Sequence, residues 1–204
     1  GGQTKPLALD QVDSFLAVHK DGTVTAYTGK VDIGTGIRIA IPQMVAEELD
    51  VRLDKIKLIE GDTALTPDQG PTWGSLSIQV AGVQLRQAAA TARQALIQMA
   101  VQKTGMPSVD FAVKDGVIFL RAEPLRRFTY AELIGDKAFE LKLDAAAPLK
   151  NPKDHTVVGQ PVPRPDVAGK VTGTHTYMQD FRVPGMLHAR VIRPPAIGAT
   201  LERV

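Results

Sequence analysis

Two Asp-Gly pairs narrow the folds open to this chain more than any other feature. Asp21-Gly22 and Asp115-Gly116 each separate stretches that alternate apolar and polar residues, 14–20 from 23–29 and 109–113 from 117–120. This is the strongest short signal for a β-hairpin. Hairpins join antiparallel neighbours, so a purely parallel sheet is excluded. The first hairpin runs on through Val31-Asp32-Ile33 into Gly34-Thr35-Gly36, after which Ile37, Ile41, Met44, Val45, Glu48 and Leu49 recur at helical spacing. Pro42 is compatible only with a first turn, which predicts a helix within 37–50 that is well formed from about Ile41. Residues 55–60 alternate again as a third strand. Leu85, Ala88, Ala92, Ala95 and Met99 predict a long helix from about Trp73 to Lys103, stopped by Gly105 and Pro107, with Thr72 or Ser75 as a natural N-cap. Thr129 and Glu132 are spaced as a capping box for a short helix ending near Ile134. The expected fold is α+β, a mixed or antiparallel sheet packed by helices.

The chain has 204 residues, and five prolines between 148 and 165 mark a Pro-rich linker, assigned to 151–165. It divides residues 1–150 from a second unit, 166–204, too short to bury a core of its own. A chain that opens at Gly1-Gly2 without Met and ends at Leu201-Glu202-Arg203-Val204 is expected to be a piece of a longer subunit. The net charge is +2 with scattered basic residues, so no stripe for nucleic acid is present. The longest uncharged run, Gln69 to Leu85, is too rich in Gln, Thr and Ser to span a bilayer. With no cysteine, the chain itself offers no disulfide, thiolate nucleophile or iron–sulfur ligand. Its four histidines stand apart in sequence, and no protein-ligated metal is expected. Glu47, Glu48, Asp50 and Asp54 crowd one helix and its exit and read as solvated surface. No serine lies in a nucleophile elbow.

Two segments carry chemistry. Gly34-Thr35-Gly36 lies where a strand hands over to a helix, and residues without Cβ let backbone amides approach an anion closely. Position 39 is Ile, so the third glycine of a dinucleotide fingerprint is missing, although Glu60 imitates a ribose-binding acid at a strand end. A nucleotide-binding oxidoreductase domain, a non-catalytic interaction domain and a plain turn all stay open at this point. The second segment, Asp68 to Ser77, feeds the long helix, whose unpaired N–H groups and dipole favour an anion or an oxo group. Capping, and packing of the single tryptophan Trp73, are the plainer readings.

Taken in order, Gly29-Lys30-Val31-Asp32-Ile33-Gly34-Thr35-Gly36, Gln43-Met44-Val45-Ala46-Glu47-Glu48-Leu49, Gly61-Asp62-Thr63 and Pro71-Thr72-Trp73-Gly74-Ser75-Leu76-Ser77 resemble the molybdenum-cofactor-binding large subunit of the xanthine dehydrogenase and aldehyde oxidase family. The likeness is greatest to the isoquinoline 1-oxidoreductase type of β subunit. It covers about 20–102 and 158–204, the latter similar to the opening of that family's α/β hammerhead domain in Lys170-Val171-Thr172-Gly173 and Pro184-Gly185-Met186-Leu187-His188-Ala189. The resemblance implies that Gly34, Thr35 and Gly36 meet the pterin dithiolene, while Thr72, Gly74, Ser75 and Ser77 face cofactor phosphate, metal oxo group or substrate. Where the family often has Gln between the glycines, this chain has the shorter Thr35, which offers only a hydroxyl. The resemblance also implies oxidation of an N-heterocycle or an aldehyde with oxygen from water. The catalytic glutamate is expected beyond this chain, so no catalytic residue is assigned here and the chain alone is expected to be inactive and empty of cofactor. Further expectations are 2Fe-2S clusters on an iron–sulfur small subunit, contact with the remainder of the same subunit, a small-molecule substrate and an electron acceptor such as a cytochrome. Twin-arginine export of the parent protein to the periplasm is expected over a cytoplasmic location.

Overall fold

Val24–Thr28 forms the central strand, β2, of the first sheet in a computed structural model that describes residues 7–203. The chain divides into two units between Arg164 and Pro165. In the first, β1 (Leu16–Val18) lies antiparallel to β2, with Leu16 opposite Ala26 and Val18 opposite Val24. Gly22 turns this hairpin at φ 77°, and the Asp21 carboxylate accepts from the Thr23 amide at 2.9 Å. On its other edge β2 pairs in parallel with β3 (Ile56–Glu60), Val24 opposite Ile56 and Thr28 opposite Glu60. The crossover between them is α1 (Ile37–Leu49). The sheet is therefore mixed, and the chain is α+β.

Pro42 does not delay α1, which is helical from Ile37 with a buried proline inside it. Pro42 withholds one amide, whereas the start of the helix is anchored on its own: the Arg38 amide donates to Asp32 Oδ2 at 3.1 Å. α2 (Val83–Thr104) packs against α1, and its Leu85, Ala88, Ala89, Ala92, Leu96 and Ala100 are fully buried. Small side chains on this face let the helix axes approach closely. Gly105 closes α2 at φ 72°, its amide reaching the Val101 carbonyl at 2.8 Å. A second sheet, all antiparallel, comprises β4 (Phe111–Lys114), β5 (Val117–Leu120) and β6 (Arg127–Thr129). Asp115 and Gly116 both take positive φ between β4 and β5, the tight turn that Asp-Gly favours. α3 (Tyr130–Leu133) carries the capping box of Thr129 and Glu132, and the Tyr130 hydroxyl donates to the Leu49 carbonyl at 2.6 Å.

Glu47 and Glu48 are not solvated surface: they are 1% and 0% exposed. The Glu47 carboxylate accepts from the amides of Thr156, Val157 and Val158 at 2.9, 2.7 and 2.9 Å and faces the Lys150 ammonium at 3.3 Å. Glu48 accepts from Arg86 Nε at 2.9 Å and the Lys150 amide at 3.0 Å. Buried carboxylates persist only with such partners. Residues 150–158 are thus a strap held onto α1, and the Pro-rich segment begins as part of the first unit. Gln43 Nε2 adds bonds to the Val157 and Gln160 carbonyls at 2.9 and 3.0 Å.

The second unit contains α4 (Val167–Val171), one short turn at Met178–Asp180 and, among its described residues, no strand and no buried side chain. A ring pair, His175 with Tyr177 at 4.8 Å, is its one aromatic contact among the described residues. No described helix of the whole chain is long and apolar enough to cross a membrane.

Candidate functional site

Both segments singled out in the sequence spring from residues 28–32, the end of β2 and its continuation. Thr28 Oγ1 and the Gly29 amide donate to Gln69 Oε1 at 2.7 and 2.9 Å, and Gln69 Nε2 donates to Gln84 Oε1 at 2.7 Å. Lys30 Nζ reaches the Gly70 and Pro71 carbonyls at 3.1 and 2.8 Å. The Val31 amide donates to Thr72 Oγ1 at 3.1 Å. Gly29 is required by close approach, since a Cβ there would lie 2.2 Å from the Pro67 carbonyl oxygen. This buried polar network seats the 69–72 loop beside β2 and ties it to the first turn of α2.

One residue further on, Asp32 organises the other loop. Its Oδ1 accepts from the Gly34 and Gly36 amides at 2.8 and 3.2 Å, and its Oδ2 from Arg38 N. Its own amide donates to Glu60 Oε2 at 3.1 Å, and Glu60 Oε1 accepts from Arg38 Nε at 2.7 Å. Burial pushes the Asp32 carboxyl up, but the Arg38, Gly34 and Gly36 amides and the Arg164 charge outweigh it and hold the group below its ordinary value. Glu60, which could have passed for a ribose-binding acid, is engaged in holding this turn. Gly34 and Gly36 do adopt positive φ, 105° and 86°, yet their amides already serve an anion, the side chain of Asp32. Thr35 is exposed, with no side-chain hydrogen bond to any described residue.

In the second loop the open amides are consecutive, whereas in the first those of Thr35 and Ile37 alternate with amides held by Asp32. Thr72, Trp73, Gly74 and Ser75 donate no backbone hydrogen bond to any described protein acceptor. Gly74 and Ser75 take φ of 58° and 59°. Neither Thr72 nor Ser75 caps a helix: Thr72 Oγ1 is committed to Val31, and Leu76 precedes a π-helical stretch, Ser77–Gly82, that runs into α2. The helix therefore starts at Ser77 rather than near Trp73. The widened turn accompanies a tight crossing, for a Cβ on Gly82 would lie 2.7 Å from Met44 Cε. Trp73 is 67% exposed. Gly74 and Ser75 are exposed as well, and Thr72 and Ser77 are half-buried. The structure thus places Gly34, Thr35 and Gly36 on one loop and Thr72, Gly74, Ser75 and Ser77 on its neighbour, joined through consecutive residues Val31 and Asp32. Among the described residues no three His, Asp or Glu side chains converge as a metal site.

Sequence reasoning missed Asp32, Lys30 and Gln69. The signal for Asp32 was local, an acid two residues before a glycine turn. Lys30 and Gln69 act across about 40 residues of chain, and no pattern near either one reveals the other's partner.

Residues 3–180 match the model of a molybdopterin cofactor-binding domain. Over 97% of its length the chain is 44% identical to a nicotinate dehydrogenase subunit of Pseudomonas putida, of which it spans 16%. Over 98% of its length it is 28% identical to the isoquinoline 1-oxidoreductase β subunit of Brevundimonas diminuta, spanning 31% of that protein. Among solved structures, CO dehydrogenase from Oligotropha carboxidovorans superimposes with a TM-score of 0.53 at 26% identity, covering 58% of this chain and 15% of that one.

Proposed function

This chain belongs to the molybdopterin cofactor-binding domain family, and on that footing we propose that it forms one wall of the cofactor site in a molybdenum hydroxylase subunit. The observation that carries the proposal is the contrast between the loops: four consecutive amides at Thr72 to Ser75 have no protein acceptor among the described residues, while those of Gly34 and Gly36 are occupied by Asp32. The residues present fit a pterin-dithiolene group in part. The amides and hydroxyls of Thr72, Gly74, Ser75 and Ser77 suit its anionic and oxo oxygens. The first loop offers the exposed Thr35 hydroxyl and amide and a surface shaped by Gly34 and Gly36, whose own amides are taken by Asp32. When bound, the group supplies the two-electron redox chemistry and the water-derived oxygen of such oxidations. This chain's own part is to bind and orient it.

The proposed substrate class is an N-heterocycle or an aldehyde. Proposed partners are an iron–sulfur small subunit and a downstream acceptor such as a cytochrome, with residues 166–204 opening a hammerhead domain. We further propose a periplasmic location for the parent protein, decided by whether the gene's upstream codons encode an Arg-Arg pair before an apolar segment. Alone, residues 1–204 are expected to be catalytically silent and to take up little cofactor, because a few contacts worth about 1 kcal/mol each barely offset an association cost of at least ~4 kcal/mol. The test is metal and pterin analysis of the complete subunit purified with its partner. Molybdenum and an oxidised-pterin fluorophore are expected together, and absence of both defeats the reading in favour of a non-catalytic interaction domain.

A further inference from the structure

We propose that Lys30 is a positioning residue: its buried ammonium fixes the path of the 70–77 loop by holding the Gly70 and Pro71 carbonyls, and so sets where the open amides of Thr72 to Ser75 point. The link to a cofactor rests on the function proposed above, but the grip on the loop stands on geometry alone. Lys30 is 3% exposed. Its Nζ donates to Pro71 O at 2.8 Å and Gly70 O at 3.1 Å, and no carboxylate among the described residues pairs with it. A lysine placed in the interior usually answers an acid; this one answers two adjacent carbonyls of a single turn.

The turn has little else to hold it there. Pro71 has no amide, and the Gly70 amide bonds within its own loop to Asp68 Oδ1 at 2.9 Å. Gln69 fixes the residue before and Thr72 the residue after, through neutral groups. Lys30 therefore supplies the charged contact between those two points, and charged donors make the stronger bonds. Gly70 sits at φ 73°, the left-handed conformation, with room for a Cβ no closer than 4.0 Å to the ammonium. The four residues whose amides lack acceptors come directly after it and Pro71. A shift of the 70–71 carbonyls is passed on to them, resisted among the described hydrogen bonds by the Thr72 hydroxyl at one end and the Leu76–Trp73 bond at the other.

Trp73 is the single tryptophan of the chain and lies in this loop, so it reports its motion without labelling. In residues 1–204, Lys30→Met is expected to lower the fluorescence anisotropy of Trp73. It is also expected to speed exchange of the Leu76 amide, which bonds to the Trp73 carbonyl at 3.1 Å, by about tenfold or more. Amides of α2 from Leu85 to Ala100 keep their rates, and Lys30→Arg, which can still donate to both carbonyls, restores the loop. If Lys30→Met does not fold, Lys30→Gln is read in the same way. A loop as tight as in the wild type, loosening spread equally through α2, or equal loosening in Lys30→Arg overturns the proposal.

In the complete subunit with its partner, molybdenum and pterin per subunit are expected to fall in Lys30→Met and recover in Lys30→Arg. Full cofactor content in a subunit with a loosened loop overturns the link to the cofactor. A wild-type subunit without molybdenum counts against the proposed function instead, and leaves Lys30 to be decided by the loop measurements.

Discussion

Asp32 carries a charge that its surroundings expect, and this has a measurable pH signature. Its folded carboxyl is held below the ordinary value, so the stability it contributes is complete above the unfolded pKa of about 3.9 and is lost as pH falls through the folded one. Asp32→Asn is therefore expected to cost about 1–2 kcal/mol at neutral pH. In urea titrations that gap should close as the pH drops below about 4; an unchanged gap would show that the amides do not depend on the carboxylate's charge. Two glycines make a second comparison. An added Cβ meets the Pro67 carbonyl at 2.2 Å at Gly29, but the flexible end of Met44 at 2.7 Å at Gly82. Gly29→Ala is expected to lose about 2 kcal/mol or more. Gly82→Ala, offset by better helix propensity, should stay within ~1 kcal/mol of wild type. Denaturation midpoints that rank the pair the other way would refute the reading of Gly29 as a close-approach residue.

What could be read from the sequence at the level of elements was what neighbouring residues decide among themselves. Both Asp-Gly hairpins, the Gly105 stop and the Thr129–Glu132 capping box involve partners a few residues apart, and each was legible. The start of α2 was not, because Thr72 serves Val31 across 41 residues and so does not cap. Glu47 and Glu48 were misread for the same reason: local context shows two acids on a helix, while their donors arrive 38 to 111 residues later. Of the candidate site, the two loops were legible as motifs; how many amides each leaves open was not, since that depends on a side chain folding back. The strap makes a prediction of its own. Burial pushes the Glu47 carboxyl up, but the Val158, Val157 and Thr156 amides and Lys150 hold it below its ordinary value. Glu47→Gln is expected to cost about 2–4 kcal/mol and to open residues 150–160 to limited proteolysis at neutral pH. Wild-type cleavage rates with unchanged stability would mean that the strap is held by other contacts.

Taken whole, the chain concentrates its buried side chains before Arg164; among residues 165–203 none is buried. Amides of that second unit in residues 1–204 are accordingly expected to exchange at close to unprotected rates, while those of α2 are protected by about the global unfolding free energy. Strong protection throughout 165–203 would show a core that these residues do not possess here. Truncation separates the strap from the second unit: residues 1–164 are expected to unfold cooperatively, whereas residues 1–149 should lose several kcal/mol, having two interior carboxylates and no strap. The strap also sets an order of events at the ribosome. Glu47 leaves the exit tunnel about 110 residues ahead of the amides that will neutralise its burial, a delay of roughly 5–20 s at ordinary elongation rates. Throughout that interval the first helix keeps a charged flank that lacks its later donors, so closure of the core over Glu47 waits on the last of the strap.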